Sequence, residues 1–293
     1  TLYGALLKMY WFISLIMPRK VCITGGNGYL ALNLIDFLRD CEIYCVIRTS
    51  RDKIPNNVTI LTQLPDFGVD LFFHTAGNPS SISCIENPRD AFEKNTVLTF
   101  EVLEYCKTFK PVMVYFSSME CYYPINMYAA TKLSGEHMCL AYNHSYNCNN
   151  YIIRIPNTFG NYCQNERFPN IILRNIRNKI PITINTSDGK IGERNWLPVN
   201  HLFDMIFYII NNNLSNTIIY NTVGEKLSNL EFIEKFFIIM AEKTEIKFEE
   251  INIRTSLSQI ATNNITGWEP STSFDLELEN FIIVTESTNV LIP

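Results

Sequence analysis

Tyr128 and Lys132 stand four positions apart in Tyr128-Ala-Ala-Thr-Lys132, so on a helix they project from one face. An ammonium held near a phenol favours the ionised form and makes the phenol a usable general base. Just upstream, Pro111-Val-Met-Val-Tyr-Phe-Ser-Ser118 reads as a buried strand ending in two hydroxyls. Ser118, Tyr128 and Lys132 then converge at the carboxyl end of a parallel sheet, the edge where open α/β sheets hold ligands. A second cluster lies near the amino terminus, in Cys22-Ile-Thr-Gly-Gly-Asn-Gly-Tyr-Leu-Ala31. Its glycines let backbone approach a pyrophosphate, which the free N–H groups and positive dipole end of the following helix receive. Gly25, Asn27, Gly28, Tyr29 and Leu30 are the candidate cradle, with Ala31 the small residue where helix packs on strand. Each cluster alone fits a bland reading; together they point to hydride transfer with a bound dinucleotide.

Strand-like runs at Lys20–Thr24, Ile43–Ile47, Leu71–His74, Val112–Ser117 and Tyr151–Arg154 must position these groups. They alternate with helix-like stretches at Tyr29–Arg39, Arg89–Thr108 and Met127–Asn143, which implies a parallel sheet covered on both faces. After Asn157 the pattern loosens into a helix over Phe168–Arg177, a strand over Ile180–Ile184, a helix over His201–Asn211, a strand over Ile218–Val223 and a helix over Leu230–Lys243. With 293 residues, 47% of them hydrophobic, the chain buries a substantial core. A formal charge of −5 without a long basic run argues against nucleic acid as a partner. The nine cysteines form no CxxC pair and no zinc-like spacing. They read as reduced core thiols of a cytoplasmic protein, Cys121 near the proposed site included, and no metal is expected. Residues 1–16 are apolar but interrupted by Lys8. The remaining run is short of the ~20 residues that span a bilayer, so these residues read as an extension outside the fold, with no membrane partner.

The chain resembles the extended short-chain dehydrogenase/reductase family, in its NAD-dependent nucleotide-sugar epimerase/dehydratase branch. Besides the glycine turn and YxxxK, the resemblance rests on Phe73-His-Thr-Ala76-Gly77, Glu86-Asn-Pro88, Asn95-Thr-Val-Leu-Thr99, Arg154-Ile-Pro-Asn157-Thr-Phe-Gly160, Arg194-Asn-Trp-Leu-Pro-Val199 and Gly267-Trp-Glu-Pro270. It implies a Rossmann-like doubly wound parallel sheet with a small carboxy-terminal substrate lobe. Residues 17–157 would form the dinucleotide-binding domain. Residues 158–293 would partly return to the sheet and partly form the lobe, at about 158–190 and 225–293. The resemblance assigns Tyr128 the proton of a sugar hydroxyl, usually at C4, and Lys132 the nicotinamide ribose. Ser118 bridges Tyr128 and the substrate oxygen, with Ser117 the competing choice. Ala76, Gly77 and Asn95 would line or support the cofactor, Ser80 or Ser81 and Asn157 would meet the sugar, and Arg194, with Arg167 near it, would meet the diphosphate. His74 and His201 read as structural. A homodimer through the two helices around the site would use Phe100, Leu103, Leu133, Met138 and Leu140.

Three departures bear on the reaction. The second strand ends at Ile47-Arg48, where an enzyme preferring NAD usually carries an acid, and Arg51 and Lys53 lie nearby. A guanidinium there suits a 2′-phosphate, so of NAD and NADP the sequence favours NADP. Met119-Glu120 replaces the Asp-Glu pair of the dehydratases; methionine donates no proton, which leaves epimerase-like or decarboxylase-like chemistry for Glu120. Only positions 119 to 127 separate Ser118 from Tyr128, a much shorter link than most members have, and this opens the sugar pocket. The expected function is an epimerase-like enzyme acting on a nucleotide-diphosphate sugar. The alternatives are an NADPH-dependent reductase of a 4-keto nucleotide sugar, a decarboxylase-like enzyme, and a non-catalytic dinucleotide-binding subunit.

Overall fold

The computed structural model describes residues 19–48, 53–250 and 263–287. Residues 1–16 and Arg51 lie outside them. Seven strands form one parallel sheet in the order β11-β6-β5-β4-β1-β2-β3. They are β1 (Lys20–Thr24), β2 (Glu42–Val46), β3 (Thr59–Leu61), β4 (Leu71–His74), β5 (Val112–Ser118), β6 (Asn149–Ile155) and β11 (Ile219–Asn221). The order reverses at β1, and the adjacent carboxyl ends of β1 and β4 open the crevice in which a doubly wound sheet holds ligands. The strands read as near-continuous apolar runs because both faces are covered. On one face α1 (Tyr29–Phe37) and α7 (Val199–Asn211) pack Leu34, Phe203 and Ile206 against Ile23, Phe73 and Val114. On the other, α4 (Leu98–Phe109) and α5 (Met127–Tyr146) bring Leu103, Cys106 and Cys139 against Cys22, Phe72 and Tyr115.

The stretch read as one helix from Arg89 is interrupted. After the short α2 (Ser81–Glu86), α3 (Pro88–Phe92) passes through a π-helical turn, Glu93–Val97, before α4 begins. The extra residue in that turn rotates Asn95 and Thr96 inward, where both are buried. A 3-10 turn, Met119–Tyr122, starts the short link from β5 to α5.

Beyond β6 the chain builds two small sheets. One joins β7 (Asn157–Phe159), β10 (Glu193–Pro198) and β12 (Glu225–Ser228); the other joins β8 (Ile182–Ser187), β9 (Lys190–Ile191) and β13 (Ile246–Glu250). With α6 (Phe168–Arg177), α8 (Asn229–Met240) and α9 (Phe274–Ser287) they enclose a separate core around Phe159, Ile172, Trp196, Phe232, Phe236 and Phe281. Trp196 and Phe232 stack at 3.9 Å and 5°. Between these segments β11 returns to the large sheet. All nine cysteines are free, and eight are buried. Among the described residues no helix is long and apolar enough to cross a membrane, and no three His, Cys, Asp or Glu side chains group as metal ligands.

Candidate active site

The cradle begins where β1 ends. Gly25 holds φ +72°, and a Cβ there would lie 2.8 Å from the Ala76 Cα. Only glycine lets the two backbones approach this closely. Gly28 closes the turn, its N–H donating to the Gly25 carbonyl at 2.8 Å. It precedes α1 without a side-chain cap, which leaves the helix amino terminus to an incoming anion. The cleft wall includes Asn27, Tyr29, Leu30, Ala76 and Gly77. Tyr29 also packs against both large cores, so it joins sheet and lobe as well as lining the cleft. The cradle therefore fits a dinucleotide pyrophosphate.

The candidate hydroxyls, Ser118 and Tyr128, stand across the same cleft. Ser118, the last residue of β5, accepts the Glu120 N–H at 3.2 Å and lies near the Tyr128 phenol, whose ionised form it favours. Ser117 points the other way, as strand alternation requires, and donates to Glu136 Oε1 at 2.5 Å. This separation favours Ser118 over Ser117 as the bridge. Asn126 accepts the Ala129 N–H at 2.9 Å and so caps the helix that carries Tyr128 and Lys132. Burial pushes the Tyr128 phenol up to about 12; Ser118 lowers it, Glu120 raises it and Arg167 lowers it. The Lys132 Nζ donates to the Phe116 carbonyl at 2.9 Å. Burial holds its ammonium down at about 8. The phenol thus stands above its ordinary value because burial is the largest influence on it, and the lysine charge is turned to a backbone carbonyl.

Glu120 does not sit in solvent. It accepts from Ser81 Oγ at 3.1 and 3.3 Å and from Asn126 Nδ2 at 3.0 Å, on the wall shared with Tyr128. Ser80 caps α2 by accepting the Ser83 N–H at 3.1 Å, so its neighbour Ser81 is the hydroxyl tied to Glu120. Asn95 is spent beneath the cleft: Oδ1 accepts the Asn78 N–H at 2.7 Å, and Nδ2 donates to the Asn78 carbonyl at 3.2 Å and Thr131 Oγ1 at 3.1 Å. It braces the cleft wall through Asn78 without itself lining the cleft. Asn157 on β7 and Arg194 on β10 line the far end, with Arg167 at the start of α6. Burial lowers the Arg194 guanidinium and nearby Glu120 raises it. Arg48 stands at the opposite rim, its side chain 73% exposed and 4.0 Å from Glu101, while Ile47 is buried in the core. Burial raises the Cys121 thiol to about 11, which makes it a packing residue.

Sequence reasoning passed over Asn78, Asn126 and Thr131, which fix the groups it did select. Asn126 had a visible signal, an Asn before an amphipathic run; Asn78 and Thr131 had none.

The family model described as NAD dependent epimerase/dehydratase family matches residues 21–222, more than two thirds of the chain. A UDP-2-acetamido-2,6-beta-L-arabino-hexul-4-ose reductase of Pseudomonas aeruginosa is 25% identical over 243 residues, 82% of this chain. The chain spans only 59% of that relative's length. An uncharacterized protein of Methanocaldococcus jannaschii is 22% identical over 90% of this chain and 95% of its own. Among solved structures, a UDP-N-acetylglucosamine 4-epimerase of Methanobrevibacter ruminantium has TM-score 0.82 at 18% identity, covering 93% of this chain and 100% of that one. A UDP-glucuronic acid 4-epimerase of Bacillus cereus, in complex with UDP-glucuronic acid and NAD, has TM-score 0.79 at 17% identity, covering 92% and 99%. These two show that the fold is shared. The dinucleotide cradle, the Ser118–Tyr128 pair and the matched span make the chain a member of the NAD-dependent epimerase/dehydratase family.

Proposed function

We propose that this chain transfers hydride at C4 of a nucleotide-diphosphate sugar, in an epimerase-like cycle. The observation that carries the reading is that Ser118, Tyr128 and Lys132 line one cleft with the glycine cradle. A bound nicotinamide dinucleotide supplies the hydride acceptor and donor; the chain's residues do the rest. Tyr128 Oη receives the proton of the C4 hydroxyl, and Ser118 Oγ holds the phenol on that oxygen. Because burial alone makes Tyr128 a poor acid, its anion needs positive charge brought close, and Lys132 is the cation one helical turn away. Gly25, Asn27, Gly28, Tyr29, Leu30, Ala76 and Gly77 hold the dinucleotide, supported by Asn95. Arg194 and Arg167 receive the diphosphate, and Asn157, Ser81 and Glu120 meet the sugar.

A second reading is an NADPH-dependent 4-keto-sugar reductase. Arg48 at the cleft rim favours it through a 2′-phosphate, and the likeness to a relative named as a hexul-4-ose reductase favours reduction of a 4-keto sugar. The same residues serve both, so cofactor turnover separates them. The test incubates the protein with UDP-hexoses and either dinucleotide. Sugar interconversion without net cofactor change supports the cycle, stoichiometric NADPH loss supports the reductase, and full activity in Tyr128→Phe defeats both. The free thiols support a reducing, cytoplasmic setting, and exposed Phe100 supports a homodimer through the helices beside the site, to which Leu103, packed on the sheet, does not contribute. Residues 17–157 would bind the cofactor, with about 158–190 and 225–293 forming the substrate lobe.

A further inference from the structure

A chain of buried polar groups runs under the cleft, and its centre is a histidine with no part in the proton chemistry above. His74 ends β4 and is 1% exposed. Its Nδ1 lies 2.8 Å from Thr24 Oγ1 and its Nε2 2.9 Å from Thr99 Oγ1. The neighbours fix the direction of both bonds. Thr99 spends its single hydroxyl proton on the Asn95 carbonyl at 2.7 Å, so towards His74 it accepts, and Nε2 carries the hydrogen. Burial first, and the Lys132 charge second, hold His74 neutral, down at about 3. Nδ1 is therefore an acceptor, and Thr24 donates to it while its own oxygen accepts the Ala76 N–H at 3.2 Å.

Beyond Thr99 the chain continues in one sense. The π turn brings Asn95 inward four residues before Thr99, and its amide clamps Asn78 next to Gly77. The amide also donates to Thr131 Oγ1, whose hydroxyl donates to the carbonyls of Met127 and Tyr128 at 2.8 and 2.9 Å. The path thus starts on the cradle floor and ends at Thr131, one residue before Lys132, with the Thr131 hydroxyl on the backbone of Tyr128.

We propose that His74 is a positioning residue which couples the dinucleotide cradle to the helix of Tyr128 and Lys132, through Thr24 on one side and Thr99, Asn95 and Thr131 on the other. The proposal rests on the reading that this cleft binds a dinucleotide and that Tyr128 and Lys132 work there. Every donor in the path has an acceptor, so removing one link leaves buried partners unpaired along it and loosens both ends at once.

The test uses the full chain with His74→Phe, which keeps a ring and removes both nitrogens, and with Thr99→Val and Thr99→Ser. Dinucleotide Kd is measured by fluorescence titration with NADH and NADPH, and kcat wherever a sugar substrate turns over. His74→Phe and Thr99→Val are each expected to weaken dinucleotide binding about tenfold, and the double variant no further, because both break one path. Thr99→Ser restores binding to within about threefold, since it returns the hydroxyl. A residue that serves packing alone would lower thermal stability and leave Kd where it was. Unchanged Kd in folded variants, additive losses, or failure of Thr99→Ser to restore binding would overturn the proposal. If His74→Phe does not fold, the Thr99 pair decides by itself. If no sugar turns over, the catalytic reading fails, while the binding series still decides the coupling.

Discussion

Removing the carboxylate of Glu136 should destabilise the chain more than any surface charge change. Glu136 lies on α5, two turns beyond Tyr128, and is fully buried; Arg154 on β6 is 12% exposed. The guanidinium donates to both carboxylate oxygens at 2.7 Å, and the Ser117 hydroxyl adds a third bond at 2.5 Å. Arg154 also stacks 4.6 Å from the centre of the Tyr122 ring on the short link, so the pair ties β5, β6, α5 and that link together. Breaking a buried ion pair from one side costs about 3–5 kcal/mol, because the surviving charge is left buried and alone. Arg154 retains some access to water, which puts Glu136→Ala at the lower end, about 3 kcal/mol. For a chain of this size that corresponds to a fall in Tm of about 6 °C. Glu136→Gln keeps one acceptor oxygen and should cost about 2 kcal/mol. Joint replacement by Glu136→Leu and Arg154→Met should recover part of the loss, since no buried charge remains. Urea unfolding monitored by tryptophan fluorescence reads all four proteins. A loss below about 1 kcal/mol in Glu136→Ala would show that the pair contributes no more than a surface bridge and would refute the argument.

Three further outcomes follow from the geometry. Burial lowers the Lys132 ammonium to about 8, so between there and the usual value of about 10.4 the unfolded chain holds more protons and stability rises with pH. Below about 8 the full penalty stands; Lys132→Met should therefore raise the urea midpoint at pH 7 and lose that advantage towards pH ~10, and a pH-independent difference would contradict this. Arg48→Ser should weaken NADPH binding about tenfold and leave NADH within about twofold in parallel titrations, equal losses arguing against a 2′-phosphate contact. Gly25→Ala combines a positive φ with a backbone contact at 2.8 Å; it should lose dinucleotide binding at least tenfold in the same titration while circular dichroism stays native, and normal affinity would remove the cradle from the argument.

The sheet was legible because parallel strands buried on both faces are apolar throughout, and β1, β4, β5 and β6 lie within a residue or a few of where their runs are read. The short pairing strands β7, β10 and β12 have no such run; Asn157–Phe159 and Glu193–Pro198 are held by register with one another and by the Trp196–Phe232 stack. The π turn at Glu93–Val97 is equally silent, since one extra residue in a helix leaves no mark on periodicity. At the site, residue types and spacing brought Ser118, Tyr128, Lys132 and the cradle to one cleft. What they did not convey is which atom each side chain faces. Lys132 turns to the Phe116 carbonyl, and Ser80 gives its oxygen to a helix cap where Ser81 reaches Glu120. The Lys132 and Ser81 contacts depend on neighbours distant in sequence, and composition is blind to them.

The late return of β11 has a consequence for synthesis. Ile219, Tyr220 and Asn221 pair with Ile152, Ile153 and Arg154 only after the intervening strands β7 to β10 have been made. Until then β6, with its Tyr151-Ile-Ile run, is an open edge whose unpaired backbone can template pairing with another nascent chain. A ribosome that stalls between residues 156 and 218 holds a product with that edge bare, whereas one that passes Asn221 can seal it. Chaperone demand during translation should accordingly peak over this interval and fall once β11 has emerged.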